Sequence, residues 1–200
     1  MLKDKSGKAL SRSEGEAIMK SRSSIAISIC AALLALAAMT SNSNSSRILN
    51  DTLSANDTWA FFQAKSIKLE IAQANVNILE SDLASIPNTT DTLRQRNLIE
   101  FKITKEKANI SRYESDPVTH EGKIELAEKA RAFEKDREIA KKRSAWFGMA
   151  SASLQIAIVL ASSSILAVSM PMLIAGGTIG FIGALLLANA VFSVIPTLPF

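Results

Sequence analysis

The chain has 200 residues, 48% hydrophobic and 21% charged, with a formal net charge of +4. Those averages suit a soluble protein, but residues 23–40 and 144–200 carry no charge at all, and such segregation marks a membrane protein, because a bare charge in hydrocarbon is costly. The basic balance does not imply a nucleic-acid partner: residues 41–144 hold 17 Lys/Arg against 16 Asp/Glu, interleaved as on a solvated mixed-sign surface rather than a phosphate-binding stripe.

Residues 1–22 form a basic tail with Lys3, Lys5, Lys8, Arg12, Lys20 and Arg22. The apolar run at 23–40 is about long enough, at ~1.5 Å per helical residue, to cross a bilayer core of ~30 Å. Ala35-Leu36-Ala37 resembles a signal-peptide cleavage site, but the charged lead ahead of the run is longer than a signal peptide carries, so 23–40 is read as transmembrane helix one. Its Cys30 is the only cysteine. That excludes an intrachain disulfide or a cysteine metal site and leaves a small apolar residue in a helix.

Residues 41–144 are expected outside the membrane. They are poor in Gly and Pro and lack the alternation of a strand. Breaks at "SIPNTTDT" and "SDPVTHEG" divide them into helical stretches near 57–84, 92–114 and 119–144. "SNSNSS" at 41–46 fits either a linker or a continuation of the first helix. In the first stretch Ala60, Ala64, Ile67, Ile71, Ala74 and Ile78 follow a heptad seam. Phe62, Leu69, Val76 and Leu83 recur every seven residues almost opposite it. A helix apolar on two sides needs partners on both. Trp59, Phe61 and Phe62 then read as an aromatic plug at its end. The third stretch carries i,i+4 pairs Glu125–Lys129 and Glu138–Lys142. His120 reads as a solvated residue at its start.

No breaker separates that stretch from the second span, 145–170, which opens on Trp146 and Phe147 at the place where aromatic rings favour the interface. Pro171 is expected to end it. The third span, 171–196, closes at Pro196, and 197–200 are the C-terminal end. The short turn makes a hairpin of spans two and three. Gly176, Gly180, Ala184 and Ala188 recur every four residues and are expected to pack on the small residues of span two, including Ala150, Ser153, Ala157, Ala161 and Ser164. Gln155 and Asn189, the side-chain amides of these spans, are expected to face inward and bond each other, or else to line a polar path with Ser162, Ser163 and Ser164.

The stretch "NDTWAFFQAKSIK" (56–68), with Trp59, Phe62, Gln63, Ala64 and Lys65, resembles the signature of a family of uncharacterised bacterial membrane proteins, domain of unknown function 4337. "LQIAIVLASSSILAV" (154–168) is similar to the family's penultimate span. The resemblance covers roughly residues 25–192. It implies a bacterial membrane location and no assigned activity. The turn here lacks the Arg residues such proteins often carry.

The expected fold class is thus all-α: a three-span membrane protein with an extramembrane antiparallel helical, coiled-coil-like region between spans one and two. Phosphate loops, HExxH, nucleophile elbows and Cys/His clusters are absent from the sequence. An enzyme is not expected, and catalytic residues, metals and cofactors are none. The expected partners are the lipid bilayer and either a second copy or another membrane protein. The first reading is therefore a membrane-anchored self-association or scaffolding protein. A small oligomeric channel or transporter accessory subunit, with a polar path between spans two and three, is the other. The basic tail before span one favours a multi-pass protein of the bacterial inner (plasma) membrane with a cytoplasmic N-terminus; the cluster Arg131, Lys135, Arg137, Lys141, Lys142 and Arg143 before span two pulls the other way.

Overall fold

The computed structural model describes residues 12–192, and all their regular structure is helical. The elements are α1 (Arg12–Ser85), α2 (Leu93–Glu114), α3 (Lys123–Ala167) and α4 (Met170–Phe192). The tail residues Lys3, Lys5 and Lys8, the last residues of the expected third span and Pro196 lie outside the described residues. Two compact units divide the chain: Met1–Ile48 with Glu138–Phe200, and Leu49–Arg137.

"SNSNSS" is helical, so no linker interrupts α1. Serine and asparagine are weak helix formers because they compete for the backbone. Here Asn44 instead directs its Nδ2 at the carbonyl of Ala140, 2.8 Å away, and neither Gly nor Pro breaks the run. α1, α3 and α4 are each long and apolar enough to cross a membrane.

In the first unit α1 presents Ser23, Cys30 and Ala37, all buried, to α3 and α4, and Met19 is buried as well. From α3 come Phe147, Ala150, Leu154, Ala157, Ala161 and Ser164. From α4 come Gly176, Gly180, Gly183, Leu187 and Ala190. The α4 contact therefore steps by four and three, not by four throughout. That rotates Ala184 to a half-buried position and leaves Ala188 exposed, a correction to the expected face. A strict four-residue step drifts around a helix of 3.6 residues per turn, whereas the mixed step stays on one side. A Cβ on Gly176 would lie 3.1 Å from the Ala157 carbonyl, and one on Gly180 would lie 2.9 Å from Cys30 Sγ. Both glycines are small because backbone and sulfur occupy the space a side chain would need.

Ser23 Oγ and Ser164 Oγ share a buried 2.8 Å hydrogen bond. This bond and the Asn44–Ala140 bond pin α1 to α3 at two levels. Twenty-one residues of α1 separate them, or about 32 Å of helix, close to the ~30 Å of a hydrocarbon core. α3 stops at Ala167 because Val168 takes a left-handed φ of 45°. The Ser169 N–H then donates to the Ser164 carbonyl at 3.2 Å, the six-to-one bond of a Schellman end. Pro171 falls in the first turn of α4, where its missing N–H is not needed. It starts the last helix rather than ending the one before.

In the second unit the buried face of α1 runs through Ala55, Thr58, Leu69, Ala72 and Val76, with Phe62, Lys65, Leu79 and Leu83 half-buried on the same heptad. The series at Phe62 and Leu69 is thus the inner seam. Ile67, Ile71 and Ile78 are 58%, 56% and 60% exposed, and Ala60, Ala64 and Ala74 are exposed with them. Both apolar sides were expected to be covered; within one chain only the second is. Arg96 closes α1 by donating to the carbonyls of Leu83 (3.0 Å) and Ile86 (2.6 Å), groups a helix end leaves unpaired. Lys107 and Glu80 add a 2.7 Å ion pair between α1 and α2.

Gly180→Leu is expected to separate α4 from α3 and α1 and to lower stability in detergent by at least ~1–3 kcal/mol, the usual cost of overpacking. Gly177→Leu, whose Cβ meets nothing within 4 Å, serves as the control in the same thermal unfolding measurement and stays near wild type.

Candidate functional site

The signature stretch lies on α1 within the second unit. Helical geometry splits it, since residues three apart share a face. Trp59, Phe62 and Lys65 are half-buried, while Phe61, Gln63 and Ala64 point outward. The Trp59 indole N–H donates to Glu134 Oε1 of α3 at 3.0 Å. Its ring meets Phe62 edge to face, with centroids 5.2 Å apart and planes at 83°, the arrangement ring quadrupoles favour. Lys123 Nζ stands 5.5 Å from the Phe62 ring. Lys65 reaches the Tyr113 ring of α2 at 5.7 Å and Glu121 at 3.7 Å. The inward half of the signature is therefore a junction that ties α1 to α2, to α3 and to the segment between them.

Phe61 departs from the expected plug. It is 65% exposed and lines an open groove of about 290 Å³ with Lys65, Glu121, Leu126 and Lys129. Gln63 and Ala64 have no place in the junction. They sit on the outward side with Ile67 and Ile71.

The segment between α2 and α3 is built around two carboxylates. Glu125 accepts from the Ser115 hydroxyl at 2.5 Å and from the Asp116 N–H at 3.2 Å. Asp116 accepts from the Thr119 N–H at 3.2 Å. Glu125 thus bonds backward to the loop instead of forward to Lys129, and Glu138 pairs with Lys141 at 3.2 Å. His120 lies ahead of α3 with a left-handed φ of 56°, exposed as expected but outside the helix. A Cβ on Gly122 would collide with Glu125 Oε2 and the Asp116 nitrogen, so that tight approach requires glycine. The Ser115 hydroxyl holds the Glu125 carboxyl below its usual range, and the Thr119 bonds do the same for Asp116.

The expected amide pair of the spans does not form. Asn189 is buried, but Gln155 is exposed on the far side of α3 and makes no hydrogen bond among the described residues. Position 155 falls one residue past buried Leu154, a rotation of 100° that depth alone does not reveal. Among the described residues no group of three or more His, Cys, Asp or Glu could hold a metal. Sequence reasoning missed Glu134, Tyr113 and Lys123 as partners of the signature. Their spacing from Trp59 carries no signal, because each comes from another helix.

A family model described as Domain of unknown function (DUF4337) matches residues 19–193. No curated protein and no solved structure matches the chain.

Both carboxyls of the α2–α3 segment have lowered folded values, so their contribution is whole above the unfolded values of about 4 and is lost as pH falls through the folded ones. The protection of the Asp116 and Thr119 amides against hydrogen exchange, taken relative to the intrinsic rate at each pH, is expected to hold from neutral pH down to about 4 and to fall below it. Glu125→Gln should exchange faster than wild type at pH 7 and respond less to acid.

Proposed function

The chain belongs to the DUF4337 family, and from that premise we propose that it is a non-enzymatic, membrane-anchored helical protein that self-associates through the outward seam of α1. The seam carries the reading. Six apolar residues keep heptad spacing from Ala60 to Ile78, and all six are exposed. A 3.5-residue period is what a second helix recognises, knobs into holes. Alanine at three of the six permits close approach. Charge favours a second copy lying parallel and in register. Position g then meets e of the next heptad, setting Gln63 against Lys68 and Glu70 against Asn75, with no like charges opposed. An antiparallel pair centred on the seam would set Lys68 against Lys68 and Glu70 against Glu70. The family supplies no activity to set against this reading.

The three apolar helices support a multi-pass protein of the bacterial inner membrane, with the α1–α2–α3 region outside the bilayer as an antiparallel, coiled-coil-like arm and the N-terminus cytoplasmic. The channel reading draws less support. Gly176 and Gly180 bring α3 and α4 together too closely for a water-filled path between them, and Gln155 points away from that contact.

Two variants test the seam. Leu69 is buried and Ile71 is not, so Leu69→Asn should cost ~1–3 kcal/mol of fold stability. Ile71→Asn should leave the fold intact and shift the mass measured by light scattering, with detergent subtracted, from oligomer to monomer. Wild-type protein that stays monomeric at all concentrations overturns the reading. For topology, single cysteines in a Cys30→Ala background answer directly: Ser43→Cys should react with an impermeant thiol reagent on intact cells while Ser11→Cys stays protected.

A further inference from the structure

α3 carries two seams through its uncharged run. The inner one, from Phe147 to Ser164, is buried within the first unit. On the far side Gly148, Ala152, Gln155, Val159, Ser162 and Leu166 also step by four and three, and all six are exposed. That step along an uncovered face is the pattern a second helix packs into.

Gln155 makes this face more than apolar surface. It lies twelve residues from Arg143, the last charge before the run, and twelve from Ala167, where the helix ends, or ~18 Å from each. On the proposed membrane placement that is the middle of a hydrocarbon core of ~30 Å, too deep for the side chain to reach water. Ser162 satisfies its own hydroxyl by donating to the Ile158 carbonyl at 2.8 Å. The Gln155 amide has no such bond among the described residues, and lipid tails offer it neither donor nor acceptor.

The chemistry of the amide names what covers it. An amide holds donors and an acceptor together, so it is complementary to a copy of itself. Copies inserted the same way lay their α3 helices parallel, and Gln155 then meets Gln155 at one depth. Ala152 and Val159 flank it at the neighbouring core positions of the seam. A Cβ on Gly148 would meet nothing in its own chain, which leaves room for a second backbone. One polar residue among apolar core positions also fixes register.

We propose that α3 pairs within the bilayer with α3 of a second copy, across this outward seam, the two Gln155 amides hydrogen-bonded to each other. The pairing rests on the membrane placement of α3 and not on the outward seam of α1. A single amide pair is weak, so it is read in lipid rather than in detergent.

The test uses the full chain in a Cys30→Ala background, returned to phosphatidylcholine–phosphatidylglycerol vesicles, with single cysteines oxidised by copper phenanthroline. Ala152→Cys and Val159→Cys should give disulfide-linked dimers, while Phe181→Cys, exposed on α4, should give few. Adding Gln155→Leu to Ala152→Cys should lower the association constant, read from dimer yield on dilution with lipid, about five- to thirtyfold. Equal yield at Phe181→Cys, or indifference to Gln155→Leu, would overturn the pairing. The dimer should persist when Ile71→Asn is added to Ala152→Cys; its disappearance there would assign the contact to the α1 seam and overturn the proposal. Gln155→Cys should resist a water-soluble maleimide. Ready labelling would overturn the membrane placement and the proposal with it, whereas protection without dimers at either flanking position would overturn the pairing alone.

Discussion

Helices in hydrocarbon gain nothing by hiding apolar surface from one another, since lipid is as apolar as leucine. On the proposed membrane placement, what holds the first unit is shape, concentrated where Gly180 of α4 meets Cys30 of α1 and Ala157 of α3. Each neighbour is small, and together they let three helices meet at one level. The features around this contact serve it. Gly176 and Gly183 repeat it a turn away on either side, Leu154 fills the space that Gly183 leaves, and the Ser23–Ser164 and Asn44–Ala140 bonds fix α1 in rotation. Cys30 thereby gains a role that needs no reactivity: its sulfur is a spacer of the right radius.

The second unit follows a different economy. Leu69, Ala72 and Val76 bury apolar area in its interior. Its remaining contacts are long polar side chains reaching across from neighbouring elements. Glu134 holds the Trp59 indole, Glu121 and Tyr113 hold Lys65, and Arg96 closes the end of α1. The exposed ion pairs among them contribute little singly. Their value is angular, because an indole N–H with one acceptor sets how α1 is turned, and the turn of α1 decides which apolar seam is left outside.

Periodicity and charge segregation made the architecture legible from residues alone. The uncharged runs marked the three apolar helices, Pro117 and Gly122 marked the α2–α3 break, and the spacing by seven from Phe62 to Leu83 marked a buried face. What could not be read was rotation. Two heptads on α1 looked equivalent, and only contacts from α2 and α3 chose between them. Gln155 failed for the same reason, since its depth was legible but its azimuth was not. Val168 failed differently. A β-branched residue seldom takes a left-handed φ, so nothing in "AVSMP" announced that the chain would turn there rather than at Pro171.

The same rotational logic bears on the conflict between the two basic clusters. The positive-inside rule weighs charges near the ends of spans and weakens across long loops. In the cluster before α3, Lys141 is engaged by Glu138, Arg143 is drawn in between helices, and Arg137 is half-buried. Less of that cluster is free surface charge than its six residues suggest. By count alone the two stretches are alike: the basic tail sets six Lys/Arg against Asp4, Glu14 and Glu16, and the cluster before α3 sets six against Glu134, Asp136 and Glu138. A cytoplasmic N-terminus therefore strands fewer unbalanced cations on the far side than a count of residues implies.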